Sequence, residues 1–161
     1  MRNKRSSRKD RNAERNAGRW RRSRGQSLLE MALAAPILIL ILATVMDTGR
    51  VIDAYISMTN GVREGARYGS LHPTDPGTIA LRTINEANGS GVIITSVQLT
   101  PSNITVTYPG GGAYAGNPIR VTAEYDVTLL FGGIIGLETW HLSKSADMAI
   151  MYSPVTPPLG G

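Results

Sequence analysis

The hydrophobic and polar positions divide the chain into a basic arm, an apolar run and a mixed C-terminal part. The apolar run covers residues 28–46, 19 positions in which Glu30 is the only charged residue and Pro36 the only proline. A helix of this length measures about 28 Å, close to the roughly 30 Å hydrocarbon thickness of a bilayer. The pattern therefore predicts a membrane-spanning helix.

Two other kinds of segment share features with this run. A buried helix of a globular protein seldom contains more than about 14 apolar residues in succession. A cleaved secretory signal has an apolar part of about 7 to 15 residues followed by an A-x-A-like site, which Ala43-Thr44-Val45 matches poorly. Arg21-Arg22 also lacks the fuller pattern of a twin-arginine signal. A retained membrane span remains the favoured interpretation.

The helical pattern continues beyond the apolar run to about residue 70, with apolar and polar residues interleaved. Small residues recur at every fourth position of this extension: Ser57, Gly61, Gly65 and Gly69. Such spacing predicts a smooth ridge that another backbone can approach closely. Alternatively, the glycines only weaken the helix by about 1 kcal/mol each and mark its fraying end. The four-residue period favours the ridge.

The C-terminal part carries the patterns of a short helix and of several strands. We expect an α+β fold in which the long N-terminal transmembrane helix continues into a small exported domain with a short helix and an antiparallel sheet of about four strands. The predicted elements are a helix over Thr78–Asn88, a hairpin of Val92–Thr100 with Ile104–Tyr108, a strand over Ile119–Leu130 and another strand within Thr139–Tyr152.

A second apolar stretch, Leu129–Leu137, is too short to span a bilayer. A bent strand in the core is the favoured interpretation, and a surface that contacts the membrane or a partner is the alternative. The predicted organisation is a leader over residues 1–25, a helix over 26–70, an exported domain over 71–152 and an unstructured tail over 153–161.

Charge separates the arm from the rest of the chain. Residues 1–25 hold eleven basic and two acidic residues, a net charge of +9, whereas the other 136 residues sum to −4. The composition of the arm predicts disorder. Trp20 is the only aromatic residue among its basic residues, so a lipid-facing cytoplasmic leader is favoured over a nucleic-acid tail. The positive-inside rule then predicts a single-pass protein of the cytoplasmic membrane, with its N-terminus inside and its C-terminal domain outside.

The residue inventory argues against an enzyme. The chain has no cysteine and two histidines, His72 and His141, neither of which belongs to a recognisable catalytic site. The carboxylates are scattered, and Glu124 and Asp126 predict a solvated pair on one strand face. We therefore expect no catalytic residue, no metal site, no cofactor, no small-molecule substrate and no nucleic-acid partner.

The junction between arm and apolar run resembles a type IV prepilin processing site. A basic leader ends at Gly25, and Glu30 follows at the fifth position after it. The resemblance implies cleavage between Gly25 and Gln26 by a membrane prepilin peptidase on the cytoplasmic face. A side chain is absent at Gly25, which lets an extended backbone enter a peptidase cleft, and Glu30 can neutralise the new α-amine in apolar surroundings.

Residues 24 to about 70 are similar to the TadE-like family, the pseudopilins of the tight-adherence (Tad, Flp) pilus and secretion system. The resemblance rests on the processing site, on Pro36 at its spacing from Glu30, and on Gly65-Ala66-Arg67. It implies a minor pseudopilin that assembles with other Tad pilins, pseudopilins and platform proteins. In the family, the pairing of Glu30 with an N-terminal amine joins neighbouring subunits.

Two further hypotheses remain open. The first is an unprocessed single-pass membrane protein whose exported module binds a partner or a cell-wall component. The second is an exported hydrolase, which requires a pocket that holds His72 or His141 beside a carboxylate.

Overall fold

The computed structural model describes residues 6–89, 97–134 and 136–155, with side chains from residue 25 onward. It divides into two compact units, residues 1–43 and residues 44–161. The elements in chain order are α1 (Ser6–Leu71), α2 (Pro76–Gly89), β1 (Ile104–Thr107), β2 (Pro118–Thr128) and β3 (Thr139–Ala149). Short 3₁₀ turns lie at Pro101–Asn103 and Gly132–Ile134.

The first unit consists of the N-terminal part of α1. This helix begins at Ser6, so it includes most of the basic arm, for which the sequence predicted disorder. Arginine, lysine and alanine in the arm are good helix formers, and this local preference outweighs the lack of a core-forming pattern. Among the described residues, one helical stretch, Gly25–Leu71, is long and apolar enough to cross a membrane.

The second unit packs the remaining part of α1 and the whole of α2 against one face of a sheet. Its core contains apolar side chains from all of these elements, among them Met58 and Val62 from α1, Ile79 from α2 and Val121 from β2. Burial of such side chains is the main favourable contribution to the stability of this unit.

The sheet has the strand order β1-β2-β3, and both pairs of neighbours are antiparallel. On β2, Ile119, Val121, Ala123 and Val127 are buried. Arg120 and Glu124, at intervening positions, are exposed, as alternation across a half-buried strand requires. The sheet therefore has one face on the core and one face open to solvent.

The predicted α+β class is confirmed, with three strands among the described residues where about four were expected. The predicted hairpin of Val92–Thr100 with Ile104–Tyr108 is wrong for residues 97–100, which form no strand; residues 92–96 lie outside the described residues. The Asn88 side chain donates to the Leu99 carbonyl and accepts from the Leu99 N–H. These bonds occupy both backbone groups of Leu99, and β1 pairs with β2 instead.

The described residues of the apolar stretch Leu129–Leu137, 129–134 and 136–137, form a loop with one 3₁₀ turn, so the favoured core strand is wrong. Its glycines explain the difference, because Gly136 has a φ of 78° and Gly132 leaves no room for a side chain beside the Leu137 carbonyl. The predicted unstructured tail falls partly outside the described residues, which end at Val155.

Candidate processing site and assembly segment

The predicted processing site lies on the surface of the first unit. Gly25 is helical and exposed, and a side chain added there would contact nothing within 4 Å. The Gln26 side-chain amide donates a hydrogen bond of 3.2 Å to Glu30 Oε1. Residues four apart are neighbours on a helix surface, so Glu30 is already next to the residue that would carry a new N-terminus.

Pro36 lies inside α1, which continues through it. A proline in a helix removes one backbone hydrogen bond and crowds the preceding turn. Membrane helices tolerate it better than soluble helices do, because neighbouring groups can satisfy the freed carbonyl. The structure thus places Pro36 on the exposed apolar run, six residues after Glu30.

The small residues Ser57, Gly61, Gly65 and Gly69 are all buried in the second unit. They face other elements of the same chain. A side chain at Gly61 would lie 2.7 Å from the Thr83 carbonyl and 2.8 Å from the Ala87 Cβ, and one at Gly69 would lie 2.7 Å from the Ile119 Cδ1. The absence of side chains therefore lets α2 and β2 approach α1 closely.

The Gly65-Ala66-Arg67 element has two buried positions and one exposed position. Gly65 is closed in by the Thr83 side chain and Ala66 belongs to the core. Arg67 points outward and binds Glu64 through two hydrogen bonds of 2.8 and 2.9 Å. The hydrogen bond from Arg67 lowers the pKa of the Glu64 carboxyl below its usual value.

The comparison with known protein families bears on this segment, from Gly25 to Arg67. Residues 25–67 match the TadE-like protein family. The resemblance identified from the sequence is thereby confirmed over the part of the chain that carries it. Neither a curated protein nor a solved structure gives a significant match. The TadE-like match, over 43 of the 161 residues, suggests involvement in the Tad pilus.

Asp47, inside the TadE-like segment, has a structural role that the sequence did not predict. It is 7% exposed, and its two carboxylate oxygens accept hydrogen bonds of 2.8 and 2.9 Å from the backbone N–H groups of Leu130 and Phe131. The only sequence signal was its place directly after the apolar run. Nothing in the pattern indicated that residues more than 80 positions away would bind it.

The two histidines lie outside the TadE-like segment and at separate places in the second unit. His72 stacks on Tyr68, with ring centroids 4.5 Å apart. His141 Nδ1 lies 2.7 Å from Asp126 Oδ1, but these side chains are cross-strand neighbours that are 61% and 66% exposed. The pair is therefore a cross-strand contact on the solvent-exposed surface of the sheet, not part of an enclosed pocket.

Proposed function

We propose that the chain is a minor pseudopilin of a Tad-type pilus and secretion system that a prepilin peptidase cleaves after Gly25. The observation that carries the proposal is the family match, which begins at Gly25 and extends through Glu30 and Pro36 to Arg67. It covers the proposed cleavage residue, the apolar run and the first three residues of the packing ridge, Ser57, Gly61 and Gly65, in one continuous segment.

The surface of the apolar run supports a place in the membrane. Each leucine, isoleucine, methionine and valine from Leu28 to Met46 is at least 45% exposed, so the described residues leave these side chains uncovered. Lipid chains and the helices of neighbouring subunits are the surroundings that suit such a surface. The arm, with its charge of +9, then lies on the cytoplasmic side and residues beyond about 50 lie outside.

Cleavage would give Glu30 a cationic partner. The new α-amine on Gln26 would lie one helical turn from the Glu30 carboxylate, in the arrangement that Gln26 and Glu30 already show. Because a carboxylate near the membrane costs a few kcal/mol unless it finds a cation or water, pairing favours Glu30 in the span. The same carboxylate can bind the amine of an adjacent subunit, which would connect processing with assembly.

The cleavage reaction must act on a helical segment. Gly25 lies within α1, and a peptidase binds its substrate in extended form, so the helix has to unwind locally at this bond. Glycine weakens a helix by about 1 kcal/mol relative to alanine. Gly25 therefore favours cleavage in two ways, by its small size and by its low helix propensity.

The proposal assigns roles to the remaining parts of the chain. Residues 1–25 are the leader, 26–70 the transmembrane helix with its extension, 71–152 the exported domain and 153–161 its tail. The expected partners are membrane lipid, the prepilin peptidase, other Tad pilins and pseudopilins, and platform proteins.

Processing can be tested by co-expression with a Tad-type prepilin peptidase and by intact mass and N-terminal sequencing of the membrane fraction. We expect a mature chain that starts at Gln26, and no cleavage of Gly25→Leu. Gly18→Leu is the matched control, because it changes another glycine of the arm and should be cleaved normally. A Met1 start in the unaltered chain would contradict the proposal and leave the unprocessed membrane protein as the alternative.

Glu30 separates processing from assembly. Glu30→Gln keeps the size of the side chain and removes its charge, so we expect a normally cleaved chain that no longer co-purifies with other pilins. Normal assembly of this variant would contradict the role proposed for the carboxylate.

A further inference from the structure

An exposed loop, described over residues 129–134 and 136–138, lies between β2 and β3 in the second unit. Its large apolar side chains face outward: Leu130 is 62% exposed, Phe131 37%, Ile134 68% and Leu137 49%, and Trp140 follows at 51%. Residues 129–137 contain no charged residue. An apolar cluster of this kind on a soluble surface marks a contact with a membrane or a partner.

The loop has a defined conformation. Backbone hydrogen bonds join Leu129 N–H to the Glu138 carbonyl, Ile134 N–H to the Phe131 carbonyl and Leu137 N–H to the Gly132 carbonyl, at 2.9 to 3.0 Å. Ile135 lies outside the described residues. The apolar side chains are thus presented by a closed loop, which lowers the entropy cost of inserting them elsewhere.

Asp47 fixes where the loop lies along the chain. Its carboxylate holds the N–H groups of Leu130 and Phe131, and it is the first charged residue after the apolar run that ends at Met46. If residues 28–46 span the bilayer, Asp47 marks the depth at which the chain leaves the hydrocarbon. The two hydrogen bonds to Asp47 keep the loop at the same depth relative to the bilayer.

We propose that the loop inserts the exposed apolar side chains of its described residues into the outer leaflet of the bilayer that residues 28–46 span. The inference rests on the proposed membrane span. We assign lipid as the contact of the loop because the two hydrogen bonds to Asp47 hold the loop at the membrane boundary. Trp140 borders the loop where the headgroups would lie, a position that tryptophan favours. The exported domain is then held against the membrane at a second point, in addition to its helix.

Trp140 provides a direct depth measurement, because the chain has two tryptophans and Trp20→Phe leaves Trp140 alone. The full chain would be reconstituted in vesicles of phosphatidylcholine and phosphatidylglycerol that contain lipids brominated either near the carbonyl or near the methyl end of their chains. We expect about a twofold loss of Trp140 emission with bromine near the carbonyl end and a smaller loss with bromine near the methyl end.

Two reporters calibrate the result in a background with both native tryptophans replaced by phenylalanine. Leu38→Trp reports the span and should be quenched by bromine near the methyl ends. Tyr152→Trp reports the opposite end of the sheet, roughly 35 Å away along β3, and should be unaffected.

The loop variant Leu130→Ser/Ile134→Ser/Leu137→Ser, made with Trp20→Phe, should reduce the quenching of Trp140 while far-ultraviolet circular dichroism stays unchanged. Asp47→Asn, which leaves one carbonyl oxygen to accept a hydrogen bond, is a milder second variant and should reduce quenching less. Quenching that stays at the starting level in both variants would overturn the proposal.

The reporters also distinguish the ways in which the proposal can fail. An unquenched Trp140 beside a quenched Leu38→Trp would overturn the loop contact and leave the span intact. A lack of quenching at both positions would overturn the span and, with it, the proposed membrane function. An unquenched Trp140 together with loss of self-association in the triple-serine variant would show a protein contact and overturn the lipid assignment.

Discussion

Individual glycines in α1 differ in what surrounds them. Gly49 is exposed and has nothing within 4 Å of a side chain added there, whereas Gly61 is closed in by the Thr83 carbonyl and the Ala87 side chain of α2. Both residues cost the helix the same conformational entropy. Only at Gly61 does the close approach of another backbone compensate for that cost.

Gly61→Ala should therefore destabilise the second unit. The added Cβ would lie 2.7 Å from a backbone oxygen, which can move away only if α2 shifts as a whole. Overpacking of this kind costs about 1 to 3 kcal/mol, more than the roughly 1 kcal/mol that alanine gains in helix propensity. Thermal unfolding of the full chain in detergent would measure the change.

Gly49→Ala is the matched control on the same helix. Alanine there contacts nothing, so we expect equal or greater stability, by up to about 1 kcal/mol. Equal effects of the two substitutions would show that helix propensity alone determines the change in stability, and would refute the packing of α2 against Gly61.

At the scale of single elements, the start of α2 is defined by Asp75 and Pro76. Asp75 precedes the helix and Pro76 is its first residue, an arrangement that suits the free N–H groups of a first turn. The Asp75 Oδ1 accepts a hydrogen bond of 3.0 Å from the Thr78 N–H. Hydrogen bonds from the Thr78 side chain and backbone lower the pKa of the Asp75 carboxyl.

This lowered pKa predicts how acid affects α2. A carboxyl whose pKa is lower in the folded state stabilises the fold above its unfolded pKa, about 3.9, and loses this contribution as the pH falls through the folded pKa. Asp75→Asn keeps a carbonyl cap without the charge. We expect its melting temperature to lie below that of the unaltered chain at neutral pH, and the difference to shrink as the pH falls below about 4.

The control for this prediction is Glu86→Gln, which removes a carboxylate from the same helix away from its first turn. Because this variant keeps the Asp75 carboxylate and its hydrogen bond from the Thr78 N–H, the pH dependence that Asp75→Asn removes should remain in it. A deficit of Asp75→Asn that stays constant over the whole range would indicate that the charge makes no contribution to the cap.

Elements with a local signal could be predicted from the sequence. The amphipathic pattern of α2 and the alternation of β2 predicted these elements within a few residues, because neighbouring positions carry the periodicity of a helix or a strand. The helical pattern placed the end of α1 close to Leu71 but missed its start at Ser6, twenty residues before the predicted one. Segments whose structure depends on distant contacts could not be predicted from the sequence. The Asn88 amide diverts residues 97–100 from a strand, and the Asp47 carboxylate holds a loop more than 80 residues away.

The same division applies to the candidate site. Gly25 and Glu30 form a short linear pattern that can be recognised in the sequence alone, and the family match covers both residues. The four-residue spacing of the small residues predicted a close backbone approach. It did not reveal that the approaching groups belong to α2 and β2 of the same chain, because a periodic face carries no information about its partner.

For the whole molecule, the proposed orientation in the membrane rests on an uneven distribution of charge. The arm carries +9 and the remainder −4. Basic residues act most strongly within about 15 to 20 residues of a span. Arg19, Arg21, Arg22 and Arg24 are the four basic residues nearest to Leu28 on its N-terminal side, all within nine residues of it, so these four should contribute most to the choice of orientation.

Replacing these four arginines by glutamine lowers the charge of the arm to +5 and should allow a fraction of molecules to insert in the opposite orientation. The chain has no cysteine, so Tyr152→Cys provides a single thiol in the C-terminal domain. A membrane-impermeant maleimide added to spheroplasts should label this thiol fully with the native arm and several-fold less with the four glutamines.

The control replaces Arg2, Lys4, Arg5 and Arg8 by glutamine, which removes the same charge at a greater distance from Leu28. Labelling should then stay near the native level. Equal losses in both variants would mean that total charge, irrespective of position, sets the orientation, and full labelling in both would mean that the arm does not set it.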